Sequence, residues 1–255
     1  MNQNKLVPLL VVLASLTALS ALVFAQNYPV SPQTLTQDWE STFDVNNYPA
    51  QSNDAFAGNI THLTIFGITQ TKAWQGYLGN ITGTIVLDDA NNNTFYNWSA
   101  AEPQGEVYAS TNITIDWANI ACYNFTATGG GYRNVSILEQ EFNIQTDDVD
   151  GVNETFNLTN HPTLHVGYVT LTGCPTTYIF QNDNRQTTNF PNMLLYDTTG
   201  NALVFATFIE NDESGNTTDI NGYDGNPTDF QMLVLEDGHG NDTQTTTYYF
   251  WVELE

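Results

Sequence analysis

Eleven asparagines in this chain stand two residues before a serine or threonine with no proline between: Asn59, Asn80, Asn92, Asn97, Asn112, Asn124, Asn134, Asn153, Asn157, Asn216 and Asn241. In a secreted protein the side-chain amide of such a triplet is the acceptor for an N-linked glycan. With 30 Asn and 35 Thr, composition alone supplies roughly half of these triplets, so the plainer reading is an Asn/Thr-rich solvated face. Placement favours the glycan. Ile81, Ile85 and Leu87 alternate with Asn80, Thr82 and Thr84, and Ile113, Ile115 and Trp117 alternate with Asn112, Thr114 and Asp116. Asn97 sits between Tyr96 and Trp98, and Asn157 between Phe156 and Leu158. In strands these acceptors fall on the outward side while the apolar partners face in.

A second chemistry is cation binding. In DDVDGVNE, Asp148 and Asp150 precede Gly151, and alternate carboxylates before a glycine can converge hard oxygens on Ca2+. Asp219, Asn221 and Asp224 repeat the style. Neither stretch has the full twelve-residue pattern, and ordinary Asx-rich turns are the alternative. No other cofactor is expected. Catalytic signals are sparse: there is no Gly-x-Ser-x-Gly, no His-Glu-x-x-His and no phosphate loop, and His62, His161, His165 and His239 are scattered. The 28 acids allow many carboxylate pairs, but none is flanked by aromatics in the manner of a sugar-cleaving site. A non-enzyme is the expectation, with a secreted carbohydrate-active enzyme as the third-ranked alternative. Cys122 and Cys174 are the only cysteines. In an exported chain such a pair most often forms one disulfide, which by loop closure contributes about 4 kcal/mol. A metal or thiol site is the alternative, although neither Cys lies in a Cys-x-x-Cys or beside a His.

The elements that carry these residues begin with a leader. One cation, Lys5, is followed by an apolar run from Leu6 to Phe24 and a small-residue site at Ala25 with Val23 at −3, the plan of a signal peptide over residues 1–25. A retained anchor is the competitor, since ~18 apolar residues can span a bilayer. After cleavage no membrane contact is expected, and the location is extracellular or at the cell surface. Only Lys72, Arg133 and Arg185 then remain against 28 carboxylates, a formal charge of −25. Nucleic acid is excluded as a partner, because phosphate binding rests on Lys and Arg.

Residues 26–55 read as an N-terminal arm punctuated by Pro29, Pro32 and Pro49. From Gln33 to Val45 every even position is polar while Leu35, Trp39, Phe43 and Val45 occupy odd ones, the period of a half-buried strand. Leu35, Trp39 and Phe43 also suit a helix face, but the threonines and flanking prolines favour an extended arm. From Phe56 onward short apolar runs alternate with Gly, Asn and Asp turns, and a single all-β domain over residues 56–255 is expected: an antiparallel β-sandwich, jelly-roll or Ig-like, with a protruding N-terminal strand. Expected strands include Ile60–Ile68, Ile113–Trp117, Tyr123–Thr126 and His165–Leu171, with one or two helical turns at residues 134–142. Trp74, Ile81, Ile85, Leu87, Tyr96 and Trp98 are assigned to packing. DTTGN at Asp197–Asn201 reads as a hairpin turn. The final strand is apolar on both faces, which places it inside a sheet rather than at an edge.

WQGYLGNITGTIVLDD, the Cys-Pro of GCPTTYIF, and DFQMLVLEDGHGNDTQTTTYYFWVELE together resemble an Asn/Thr-rich family of secreted archaeal surface proteins, over most of Asn59–Leu254. That family has no established activity, so the resemblance implies secretion and a surface location and assigns no functional residue. The plan of a β-domain behind an alternating arm is also similar to filament subunits joined by donor-strand complementation, an analogy of architecture alone. The expectation that follows is a glycosylated, pilus-like homopolymer of identical subunits, with Leu35, Trp39, Phe43 and Val45 as the inserted side chains. A monomeric surface or adhesive domain is the alternative.

Overall fold

The computed structural model describes residues 28–42, 49–99, 104–128, 131–182, 184–185, 189–210, 220–239 and 243–255. The expected leader, Phe43 and Val45 of the arm, Asp219, and the acceptors Asn216 and Asn241 lie outside the described residues. The chain is all-β with antiparallel pairing and little helix. Its strands are β1 (Trp74–Gly79), β2 (Thr84–Asp88), β3 (Thr94–Ser99), β4 (Gly105–Ser110), β5 (Ile120–Cys122), β6 (Leu164–Val166), β7 (Val169–Leu171), β8 (Thr176–Tyr178), β9 (Phe180–Gln181), β10 (Asn184–Arg185), β11 (Pro191–Asp197), β12 (Ala202–Phe208), β13 (Phe230–Leu235) and β14 (Tyr249–Leu254). Helices α1 (Val135–Glu141) and α2 (Val152–Thr155) stand between β5 and β6.

The organising element is a six-stranded sheet in the order β14-β4-β12-β11-β5, with β8 pairing β11 beyond β5. PNMLLYD and ALVFATF pair across the Asp197–Asn201 turn as expected. Every residue of β11 and all but the last of β12 are buried, so both faces of the sheet need a cover. Alternation sorts the side chains. Leu194, Tyr196, Leu203, Phe205, Val107 and Ala109 face a cluster with Leu138 of α1, Val152 of α2, and Met232 and Val234 of β13. Met193, Leu195, Val204, Ala206, Tyr108 and Trp251 face the other cluster, roofed by Trp117, Leu164 and Val166. The result is a layered, sandwich-like body.

Two buried polar side chains and one disulfide hold the body together. Buried Asn192 of β11 acts as a peptide group in side-chain form: its Nδ2 donates to the Gln231 carbonyl at 2.9 Å and its Oδ1 accepts from the Leu233 N–H at 2.7 Å, stitching β13 to the sheet. Asp197, also buried, accepts from the Thr199, Gly200 and Asp116 N–H groups at 2.8–2.9 Å and fixes the β11–β12 turn. The Cys122–Cys174 disulfide forms as expected, with Cα atoms 4.8 Å apart. It joins the end of β5, opposite Leu195, to the start of β8, opposite Met193, and so makes one stapled edge out of two short strands.

Several strand expectations fail for local reasons. Ile113–Trp117 and Tyr123–Thr126 are not strands: Asn112 Oδ1 accepts from the Thr114 N–H, and Asn124 Oδ1 accepts from both the N–H and the hydroxyl of Thr126. Such Asx contacts divert the backbone from a ladder. Trp117 instead opens a single turn, Trp117–Asn119, and the pairing residues are Ile120–Cys122. His165–Leu171 divides into the β6–β7 hairpin because Gly167 adopts φ 56°. Ile60–Ile68 forms no strand and joins no sheet among the described residues. β14 is not interior. It ends the six-stranded sheet, and both clusters cover its faces while its outer edge meets only Val30 among the described residues. At residues 134–142 one helix forms, Val135–Glu141, capped by Asn134 Oδ1 on the Ser136 N–H.

Replacing Asn192 by Leu keeps the volume but strands a buried donor and a buried acceptor. Urea denaturation of Asn192→Leu is expected to show a loss of about 2–4 kcal/mol; an unchanged midpoint would contradict the stitching role.

Candidate assembly surface

The chain enters the body at Tyr28. Tyr28 meets Tyr168 edge-on at the β6–β7 turn, and Val30 exchanges two 2.9 Å backbone bonds with Val252 on the free edge of β14. It then leaves. Every described residue from 33 to 72 is exposed, and the next buried residue is Ala73. Leu35 is 70% and Trp39 56% exposed, with no strand formed over the described part of residues 33–45. Ile65 and Phe66 are each 85% exposed, and Ile60, Leu63 and Ile68 stand open beside them. The unpartnered stretch thus runs past residue 55 to the start of β1. Its far root is fixed by Asp150: the carboxylate accepts from the Thr71 hydroxyl at 2.5 Å and the carbonyl from the Trp74 indole at 2.6 Å. Connections this long without structure of their own are uncommon in compact domains and are usually functional or linkers.

A second unpartnered apolar feature follows at once. The hairpin of β2 and β3 pairs Ile85 with Trp98 and Leu87 with Tyr96, and these four side chains share one face. All four were expected to pack, yet each is 40–54% exposed. Only Trp74 and Ile81 of that set lie against the core. The reason is topological: β2 and β3 form a two-stranded sheet of their own, and no third strand joins them among the described residues. Asp229 holds the hairpin's root through the Ile81 N–H at 2.5 Å, and Gly83 lets the Leu254 side chain of β14 approach.

Nine acceptor asparagines are described. Asn59, Asn80, Asn92, Asn97, Asn124, Asn153 and Asn157 are exposed, whereas Asn112 and Asn134 are half-buried. Asn112, Asn124 and Asn134 each turn Oδ1 onto the N–H of the hydroxyl residue two places on. Asn157 Nδ2 donates to the Glu154 carbonyl at 2.7 Å. Asn92 takes φ 61° at the β2–β3 turn, a conformation asparagine tolerates better than most residues. Asn97 pairs with Val86, so it lies on the face opposite Tyr96 and Trp98.

The carboxylates expected to bind calcium serve other partners. Asp148 accepts from the Gln145 N–H at 2.7 Å, and Asp150 is the clamp on Thr71. Among the described residues no group of three or more His, Cys, Asp or Glu side chains could hold a metal ion. His161 Nε2 accepts from the Cys174 N–H at 2.9 Å, and desolvation pushes its pKa down.

Sequence reasoning missed one carboxylate pair. Glu106 of β4 and Glu253 of β14 face each other across the ladder, both buried. The β6–β7 turn covers them: the Gly167 N–H reaches both oxygens of Glu253 at 2.9 and 3.1 Å, and the Tyr108 hydroxyl lies 3.4 Å from Glu253 and 3.0 Å from the His165 carbonyl. Glu106 Oε2 has no hydrogen-bond partner among the described residues. Burial, then the charges of Glu255 and Glu253, raise its pKa from 4.5 to about 8. Burial also raises Glu253. The alternation of β4 and β14 marks both acids as inward-facing once Tyr108 and Trp251 are placed in the core, a signal legible in the sequence.

No protein-family model matches the chain, and no curated protein or solved structure matches it either. The archaeal resemblance therefore rests on its motif residues alone.

The acid pair makes stability depend on pH. Folded Glu106 keeps its proton up to about 8, whereas the unfolded carboxyl releases it near 4.5. Its contribution is therefore full below the lower value and is lost as pH rises to about 8, by at most ~1.4 kcal/mol per unit. Thermal melts from pH 5 to 9 are expected to fall less steeply for Glu106→Gln than for the parent chain. Parallel profiles would contradict the assignment.

Proposed function

We propose that this chain is a non-enzymatic structural subunit of a glycosylated extracellular filament, joined to identical subunits through the segment that precedes β1. One observation carries the reading: the described residues between 31 and 72 lie outside a well-packed body and expose Leu35, Trp39, Phe56, Ile60, Leu63, Ile65, Phe66 and Ile68 to solvent. Covering one such aliphatic or Phe side chain stabilises by roughly 1.5–3 kcal/mol, and each added backbone bond contributes ~0.5–1.5 kcal/mol. Several of these together rival the 5–15 kcal/mol or so that holds a whole domain folded. Strand addition from one subunit to the next is a heterologous contact, which propagates as a fibre when it does not close. The apparent leader and the acceptor asparagines agree with an exported, glycan-coated surface. With Asn97 on the face opposite Tyr96 and Trp98, a glycan there leaves the face of Ile85, Leu87, Tyr96 and Trp98 open.

One observation favours a monomeric surface or adhesive domain instead: Tyr28 and Val30 dock on the chain's own β6–β7 turn and β14 edge. Negative-stain microscopy separates the two readings. Fibres are expected from the mature chain and none from a chain that begins at Thr71, with the same β-type circular dichroism and an intact Cys122–Cys174 bridge in both. Monomers of the mature chain persisting at high concentration would overturn the filament.

A further inference from the structure

We infer that the two unpartnered apolar features complete each other between copies: Ile60–Ile68 of one subunit adds as a third strand to the β3 edge of the β2–β3 hairpin of the next. This deepens the filament reading and rests on it, by naming the inserted strand and its acceptor.

Four observations converge. A two-stranded hairpin is marginal by itself and needs a third strand or a cover for its apolar face. Here that face carries Ile85, Leu87, Tyr96 and Trp98, and the hairpin forms a sheet of its own. Ile60–Ile68 has the complementary need, being exposed throughout, rich in β-branched residues and outside every sheet of the described residues. Its even positions carry Ile60, Phe66 and Ile68 and its odd positions Leu63 and Ile65, so it offers apolar groups to both faces of whatever it joins. Val86, exposed on the hairpin's second face, gives it apolar contact there as well.

Charge selects the pairing. The chain carries a net charge of −24, and contacts between its copies are opposed by like charge wherever carboxylates meet. No Asp or Glu stands between Ala55 and Leu87, and none between Ala90 and Ala101. The donor segment and β3 are thus both free of acid. The β2 edge ends in Asp88, whereas β3 from Tyr96 to Ser99, past the bulge at Phe95, is regular and free of acid, which favours it as the acceptor. Area suffices too. A fully covered aromatic side chain buries roughly 150–250 Å², so Phe66, Tyr96 and Trp98, with six aliphatic neighbours, bring the contact near the ~1,000 Å² of a specific interface.

Cysteine pairing tests it, because the chain's own two cysteines are already bridged. Mature chains carrying Ile65→Cys or Phe66→Cys are mixed with mass-tagged chains carrying Phe95→Cys or Tyr96→Cys and mildly oxidised; neighbouring strands place one such combination within disulfide reach. All four residues lie outside the core, so the body folds in every variant, which the intact Cys122–Cys174 bridge verifies. The expected result is covalent heterodimers, lost when Phe66→Asp is added to an Ile65→Cys donor. Absence of heterodimers overturns the proposal, as does a chain carrying both cysteines that bridges only within itself. Fibres from the unmodified chain without heterodimers would leave the filament standing and remove this contact. The absence of both would remove both.

Discussion

Leu194 and Leu195 are neighbours on β11, point to opposite faces, and are both completely buried. The same holds for Val204 and Phe205 on β12. A sheet whose central strands are apolar on both sides cannot end at one layer, and the rest of the fold follows from that demand. On one side the chain supplies the β1–β13 ribbon with α1 and α2, and on the other the β6–β7 hairpin with Trp117. Each cover is short and brings its own polar backbone against the sheet. Buried polar groups are tolerated best when paired, which explains why the body depends on Asn192 and Asp197 as much as on its hydrophobic area.

The edges show the same economy and its limit. At the β11 side two short strands are spliced by the disulfide into one protected border. At the other side β14 is covered on both faces but bridged along its edge only by Val30 among the described residues, and between that bridge and β1 the described residues lie outside the core. Unpaired backbone and exposed apolar side chains in one place are an aggregation hazard unless they have a designated partner. The partner proposed above is a second copy, and the distribution of carboxylates agrees with it: they are plentiful elsewhere and absent from Ile60–Ile68 and from β3. Repulsion between copies then works against unspecific contacts and spares the specific one.

Much of the body was legible from residue patterns. The Phe230–Leu235 strand, the hairpin at Asp197–Asn201, the helix after Asn134 and the disulfide all follow from local chemistry that no tertiary contact overrides. Ile113–Trp117 misled because alternation is blind to an Asn side chain that captures the backbone two residues on. Ile85, Leu87, Tyr96 and Trp98 misled for a different reason. Their pattern correctly gives a hairpin with one apolar face, but the pattern does not say whether that face meets the chain's own core. The same holds for Ile60–Ile68, whose sequence is a strand and whose structure lacks a partner. Apolar periodicity encodes the need for burial, and for an assembling subunit that need is met outside the chain.

The central claim is therefore that this sequence encodes a double-faced sheet that is complete within one chain and an apolar segment that is not. Hydrogen exchange of the mature protein, measured by mass spectrometry at low and at high concentration, tests it most directly. Amides of β11 and β12 are expected to be protected at both concentrations, while those of residues 59–69 exchange freely in dilute solution and become protected as concentration rises. Protection of residues 59–69 in the dilute monomer, or its absence at every concentration, would contradict the account.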